Sequence, residues 1–225
     1  MRLLLIRHGQ TPSNVAGALD TAFPGAPLTQ LGRRQAAEAP PALVDEDVVA
    51  VYASTLTRAQ STAAAVAEAR GLEVRIRQGL EEIAAGDLEM RNDEEAVETY
   101  RDVVARWMHG ELDVAMPGAA DGRAFLARYD AALRAIADEH DEDATVAVVS
   151  HGAAIRVWSG LRSGEPADEA EERHLSNTGM HVLEGHPASG WALVSWRADP
   201  LGGAHLVDDD AADPTADQGD DDLVA

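Results

Sequence analysis

The sequence predicts an α/β domain: a mostly parallel central sheet of about six strands with helices on both faces and a helical cap insertion. Three observations carry this. Short aliphatic runs alternate with helical patterns, as expected where parallel strands are joined by crossover helices. Apolar residues make up 45% and charged residues 26% of the 225-residue chain, enough to bury a core of that size. Two of the aliphatic runs end in the same His-Gly pair, which puts reactive side chains at the carboxyl ends of strands, where open parallel sheets bind ligands.

The elements follow in order. Arg2 to Arg7 is the first strand; its apolar run, Leu3 to Ile6, is too short for a signal peptide or a membrane span. Thr29 caps a helix that runs to Ala39 and stops at Pro40 and Pro41. Val48 to Ala53 is the second strand, Thr55 to Arg70 an Ala-rich helix closed by Gly71, and Glu73 to Arg77 the third strand. From residue 79 to 122 the chain leaves this rhythm and is read as the cap, with a helix over Asp93 to His109. Arg123 to His140 is helical, Thr145 to Ser150 is the fourth strand, and a helix starts across Ala153 to Leu161. Gly179 to Leu183 and Trp191 to Arg197 complete the sheet. One domain spans residues 1–206. The segment 207–225 holds eight Asp and no aromatic residue, so it is expected to be a disordered acidic tail, dispensable for folding and activity.

Charge and missing residue types narrow the chemistry. There is no Cys, which excludes disulfides, thiolate metal sites and cysteine nucleophiles. All 18 basic residues are Arg, which excludes Schiff-base chemistry and the lysine form of the phosphate-binding loop. A net charge of −22 repels nucleic acid and anionic membranes, so neither is an expected partner; only a local basic pocket would bind anions. Codon usage in a GC-rich genome or a halophilic surface would each account for this composition. A cytoplasmic location is expected, and a homodimer is the one assembly considered. His109, His140, His174, His181, His186 and His205 lack metal-ligand spacing, so no metal and no cofactor are expected.

The segments Leu3-Leu4-Leu5-Ile6-Arg7-His8-Gly9 and Val146-Ala147-Val148-Val149-Ser150-His151-Gly152 are alike. If their strands are neighbours, both imidazoles face one crevice, and the glycines allow backbone to approach a ligand. Arg7 sets a cation beside His8. Arg58, in the first turns of the helix after the second strand, offers a second guanidinium fork suited to a tetrahedral oxyanion.

These residues resemble the histidine phosphatase superfamily, the phosphoglycerate-mutase-like group. The matching blocks occur in family order to about Thr178: Arg7-His8-Gly9-Gln10-Thr11 with Asn14; Pro27-Leu28-Thr29 with Gly32 and Gln35-Ala36; Ser54-Thr55-Leu56 with Arg58-Ala59 and Thr62-Ala63; Leu80-Glu81-Glu82 with Gly86 and Glu89; and Ser150-His151-Gly152. The resemblance implies that His8 becomes phosphohistidine and that Arg7, Arg58 and His151 hold the phosphoryl oxygens. It further implies that Asn14 and Gly152 belong to the phosphate pocket and that Glu82, rather than its neighbour Glu81, is the proton donor. Asn177 and Thr178 resemble a family position behind the crevice. The physics agrees with these roles: guanidinium charge keeps a histidine neutral and nucleophilic, and it offsets charge that builds during phosphoryl transfer.

Several positions depart from the family pattern. Leu88 stands where Trp is usual and Met90 where Gly is common, and Ala119-Ala120-Asp121 replaces Gly-Glu-Ser after Pro117-Gly118. The paired cap arginines of the cofactor-dependent mutases are absent; Arg101 and Arg106 lie five apart and need not converge. Met90, Trp107, Met108 and Met116 are read as core ahead of a substrate-pocket lining. The resulting expectation is a metal-independent phosphomonoester hydrolase acting through phosphohistidine on a small phosphorylated metabolite. The alternatives are a phosphoglycerate mutase and a non-catalytic phosphate-binding regulatory domain.

Overall fold

The computed structural model describes residues 1–208 and 210–215. Strands β1 (Arg2–Arg7), β2 (Val48–Ala53), β3 (Val74–Ile76), β4 (Thr145–Ser150), β5 (Met180–His186) and β6 (Gly190–Arg197) form one sheet in the order β3-β2-β4-β1-β5-β6. The first four are parallel, and β5 and β6 are antiparallel to their neighbours. β1 and β4 are adjacent, with Ile6 opposite Val149 and Arg7 opposite Ser150. His8 and His151 therefore leave the sheet side by side at its carboxyl edge.

Helices α1 (Pro12–Val15), α2 (Gln30–Glu38), α3 (Thr57–Glu68), α4 (Glu94–Met108), α5 (Gly122–Ala137), α6 (Gly152–Ser163) and α7 (Ala167–Glu171) cover the sheet. Side chains alternate along β1, so Leu3 and Leu5 face one core while Leu4 and Ile6 face the other. The second core is made with Ala59, Ala63 and Val66 of α3, small residues that let the helix lie close to the strands. The first is larger and takes in α4, α5 and α6. Its aromatic rings form a continuous chain, Trp107–Phe125–Tyr129–Trp158–Trp191, with successive centroids 5.8, 5.7, 5.6 and 5.7 Å apart. Trp107, Met108 and Met116 belong to this core, whereas Met90 is exposed.

Local chemistry sets the helix starts. Thr29, Asp93 and Asp121 accept from the backbone N–H of Gly32, Ala96 and Ala124, so α2, α4 and α5 begin where a side-chain oxygen satisfies an orphan donor. The sequence reading did not include α1 and α7; at four and five residues they are too short to carry a helical period. Among the described residues no helix is long and apolar enough to cross a membrane.

The expected acidic tail needs correction in its first part. Val207, Asp208 and residues 210–215 lie against the body: Gln10 Nε2 donates to Asp208 Oδ2 at 2.6 Å, and Arg7 Nη2 pairs with Asp213 and donates to Thr215 Oγ1 at 3.0 Å. Composition alone missed this because the contacts are polar and need no apolar surface. Asp209 and residues 216–225 lie outside the described residues.

Candidate active site

His8 follows the last residue of β1, and its backbone N–H donates to Ser150 O at 3.0 Å, tying it to β4. Gly9 is required here for packing. A Cβ on Gly9 would sit 2.6 Å from the carbonyl oxygen of Gly32, and one on Gly32 would sit 2.1 Å from that of Gln10. The two backbones thus meet where no side chain fits, and the glycine serves the fold where the sequence suggested ligand approach.

The His8 ring is buried. Its Nδ1 lies 2.8 Å from Gly9 O, an acceptor, so Nδ1 carries the proton; Nε2 then offers its lone pair and accepts from Arg58 Nε at 3.0 Å. Burial, followed by the charges of Arg58 and Arg7, holds the His8 pKa well below the ordinary histidine value. The ring is a neutral imidazole at neutral pH, with Nε2 facing a guanidinium.

Arg58 reaches His8 from the first turn of α3. Asp20 O accepts from its Nη2 at 2.7 Å, and Asp20 Oδ1 lies 3.7 Å from Nη1. Glu89 holds the loop that carries Asp20 by accepting from Thr21 N, Thr21 Oγ1 and Ala22 N at 2.9, 2.5 and 3.0 Å. Arg7 is fully buried; Leu175 O accepts from its Nη1 at 2.7 Å. His151 lies with its ring centroid 5.1 Å from that of His8, and its Nε2 is 2.7 Å from Ser54 Oγ. Burial first and then Arg58 lower the His151 pKa well below its ordinary value. Among the described residues, Arg7 Nε, Arg58 Nη1 and His151 Nδ1 are buried polar atoms with no hydrogen-bond partner. Native proteins seldom leave such groups unsatisfied, so each retains capacity for a partner.

Glu82 is buried, and its carboxylate accepts from the backbone N–H groups of Ile83 and Ala154, both at 2.8 Å, and from Ala153 at 3.2 Å. It thereby caps α6, whose own N-cap residue, His151, makes no side-chain cap. Burial raises its pKa above the ordinary carboxylate value, outweighing these donors and the charges of Arg58 and Arg7. Glu81 behaves differently: it accepts from Thr55 Oγ1 at 2.8 Å and from Gly79 N at 2.7 Å, at the partly exposed side of the loop. Of the two carboxylates, Glu82 is the buried one, held by the first N–H groups of α6.

The geometry qualifies two other assignments. Asn14 Oδ1 is committed to a local cap, accepting from Thr11 N at 2.9 Å and Thr11 Oγ1 at 3.0 Å, so only its amide NH2 is left for a ligand. The position of Gly152 is defined by the side chain it lacks: a Cβ would lie 3.0 Å from Arg7 Nε and 2.5 Å from Thr215 O. Asn177 stands behind the site, its Nδ2 donating to His8 O at 3.1 Å. Arg106 pairs with Glu111 at the surface, while Arg101 lines a cavity of about 620 Å³ beside Arg7, so the two arginines do not converge.

Sequence reasoning missed Arg128, Ser54, Asp20 and Asp213. Arg128 donates to the carbonyls of Gly79, Glu81 and Glu82 at 2.9, 2.8 and 2.6 Å and so holds the Glu82 loop. Tyr129 Oη adds a relay, donating to Ser150 Oγ at 3.0 Å, which donates to Leu80 O at 2.8 Å. Nothing in an Arg-Tyr pair on a helix marks such a role. Ser54 lay inside a matched block and could have been singled out from its place before Arg58. Among the described residues no group of three or more His, Asp or Glu is arranged to hold a metal ion.

Comparison with known proteins bears on the family and the fold. A profile of the histidine phosphatase superfamily (branch 1) matches residues 3–199. A glucosyl-3-phosphoglycerate phosphatase of Mycobacterium tuberculosis is 29% identical over 93% of this chain and 97% of its own. A PE-PGRS family protein of the same organism is 36% identical over 89% of this chain, which spans 37% of that protein's length. A probable phosphoglycerate mutase of Escherichia coli is 25% identical over 95% of this chain and 98% of its own. Among solved structures, the mycobacterial glucosyl-3-phosphoglycerate phosphatase superposes with a TM-score of 0.73 at 27% identity, covering 88% of this chain and 99% of that one. The α-ribazole phosphatase of Shigella flexneri superposes with a TM-score of 0.69 at 28% identity, covering 88% and 96%.

Proposed function

The chain belongs to the histidine phosphatase superfamily, and within it we propose a phosphomonoester hydrolase that works through phosphohistidine on a small phosphorylated metabolite, with no metal required. One observation carries the reading: His8 is a buried neutral imidazole with its proton held on Nδ1 by Gly9 O and its Nε2 lone pair presented to a cluster of cations.

In the first half-reaction the phosphoryl group enters between Arg7, Arg58 and His151, and Arg58 Nε turns from the His8 lone pair to a phosphoryl oxygen. His8 Nε2 attacks phosphorus in line with the departing oxygen. The guanidiniums offset the charge on the equatorial oxygens, the main source of catalysis in phosphoryl transfer. Glu82, whose neutral form is favoured by burial, gives a proton to the leaving alkoxide. In the second half-reaction the same carboxylate, now ionised, takes a proton from water as the water attacks the phosphohistidine.

Hydrolysis is favoured over mutase activity by the cationic groups. A mutase must hold a doubly phosphorylated intermediate, which calls for cations at two places and exclusion of water. Here the cations grouped at His8 are Arg7 and Arg58, and the cap arginines do not pair. The test is brief reaction with 3-phosphoglycerate and a set of phosphate esters, with and without EDTA. Expected are release of inorganic phosphate much faster than formation of 2-phosphoglycerate, an acid-labile adduct on His8, and loss of turnover in H8A. Rapid interconversion of the phosphoglycerates with little phosphate released would favour the mutase reading, and inhibition by EDTA reversed by a divalent ion would remove the metal-free mechanism.

A further inference from the structure

We propose that Asp213 is an internal competitor for the anion-binding edge of Arg7, and that it weakens the binding of any anion that must displace it. The inference rests on the phosphate-binding reading of the same cluster and concerns its affinity.

The guanidinium of Arg7 has one edge committed, since Nη1 donates to Leu175 O at 2.7 Å. The other edge, Nε and Nη2, is the flat fork that a carboxylate or phosphoryl group takes with two parallel hydrogen bonds. Half of this fork is in use. Nη2 pairs with Asp213 Oδ2 and donates to Thr215 Oγ1, whereas Nε is buried with no hydrogen-bond partner among the described residues. A phosphoryl group seated on the fork meets the Asp213 carboxylate at Nη2 and must displace it.

The body is shaped to receive this segment. Gln35 Nε2 donates to Leu206 O at 2.8 Å and Gln10 Nε2 to Asp208 Oδ2 at 2.6 Å, fixing its start. Thr215 donates through its N–H and its hydroxyl to Asp213 Oδ1, at 3.1 and 3.0 Å, which orients the carboxylate with Oδ2 toward Arg7. Two glycines make room for the backbone: a Cβ would lie 2.5 Å from Thr215 O at Gly152 and 2.9 Å from Ala212 O at Gly17. Asp208, Ala212 and Asp213 also wall the cavity of about 620 Å³ beside Arg7.

The effect follows from competition. Asp213 is tethered, so it competes at a high effective concentration. A ligand that binds only when Asp213 has left Arg7 loses affinity by the fraction of molecules in which that edge is free, a factor common to monoanions and phosphomonoesters. The segment adheres mainly through polar contacts, with Pro214 the buried residue among 210–215.

The experiment uses the full chain and D213N, in which the amide keeps an acceptor but not the charge. Steady-state hydrolysis of 4-nitrophenyl phosphate is measured with inorganic phosphate and acetate as inhibitors, and phosphate binding is measured by calorimetry. In D213N, KM and the phosphate inhibition constant should fall together by three- to tenfold with kcat within twofold, and the acetate inhibition constant should fall by the same factor. Truncation after Leu206 should reproduce the fall in KM. A rise in KM, or a fall in kcat at constant KM, would overturn the proposal by showing that Asp213 holds Arg7 in its working orientation. Equal phosphate affinity in the two proteins would overturn it as well while leaving the phosphatase reading intact. If the unaltered protein neither binds phosphate nor hydrolyses any ester, the phosphatase reading itself has failed.

Discussion

Replacing Arg58 with Met removes a buried charge whose Nε lies 3.0 Å from His8 Nε2 while keeping much of the side-chain volume. Two effects follow. At roughly 4 Å and an effective dielectric of about 20, one unit charge acts on another with about 4 kcal/mol. Losing one such donor from a charged transition state costs about 10²–10³-fold in rate. The expected drop in kcat/KM for 4-nitrophenyl phosphate is therefore on the order of 10²–10³-fold. The second effect is on pH. His8 attacks only when neutral, so activity is lost as pH falls through its pKa. That pKa is held down by burial first and by Arg58 second, so in R58M it climbs back toward the ordinary value and the acid limb of the profile moves to higher pH. The assay is kcat/KM from pH 4.5 to 8, with the His8 ring followed by NMR and the fold checked by circular dichroism. R58K separates the two effects, because it keeps the charge but loses the fork: its acid limb should stay near that of the unaltered protein while its rate falls. An R58M profile with an unmoved acid limb and less than a tenfold loss would refute the electrostatic role given to Arg58.

Two further substitutions test the acid and the packing. E82Q keeps an oxygen for the N–H groups of Ile83 and Ala154 but cannot transfer a proton; kcat should fall by about 10²–10⁴-fold and the alkaline limb of the profile should vanish. With 4-nitrophenol as leaving group the first step should suffer less than the second, so a rapid burst of phenolate is expected, and its absence together with normal turnover would move the proton-transfer role to another residue. G32A forces a Cβ to within 2.1 Å of Gln10 O, a backbone atom that cannot swing aside, and should cost about 1–3 kcal/mol and several degrees of Tm by calorimetry. An unchanged Tm would mean that the two backbones separate freely, and the tight His8 turn would need another explanation.

Much of the architecture was legible from sequence because its signals are local. The bounds of β1, β2 and β4 match the expected strands, since each is an aliphatic run closed by polar or turn residues. The caps at Thr29 and Asp93 show in the sequence for the same reason: a side-chain oxygen three residues before an orphan N–H is a short-range pattern. His8, Arg7, Arg58 and His151 could be named as candidates from strand ends and ordered blocks of residues. Their grouping depended on β1 lying beside β4, a pairing between segments more than one hundred residues apart that no local pattern encodes. Family order favoured Glu82 over Glu81, but the physical difference between them is tertiary, because which of two adjacent carboxylates enters the core depends on where the first turn of α6 presents its N–H groups. Tertiary structure decided the role of Arg128, whose three acceptors are loop carbonyls with no sequence signature. It also decided the path of residues 210–215, which composition marked as unable to join a core. A carboxylate can be held by a buried guanidinium, and only the folded chain brings Asp213 to Arg7 and buries Pro214 beside it.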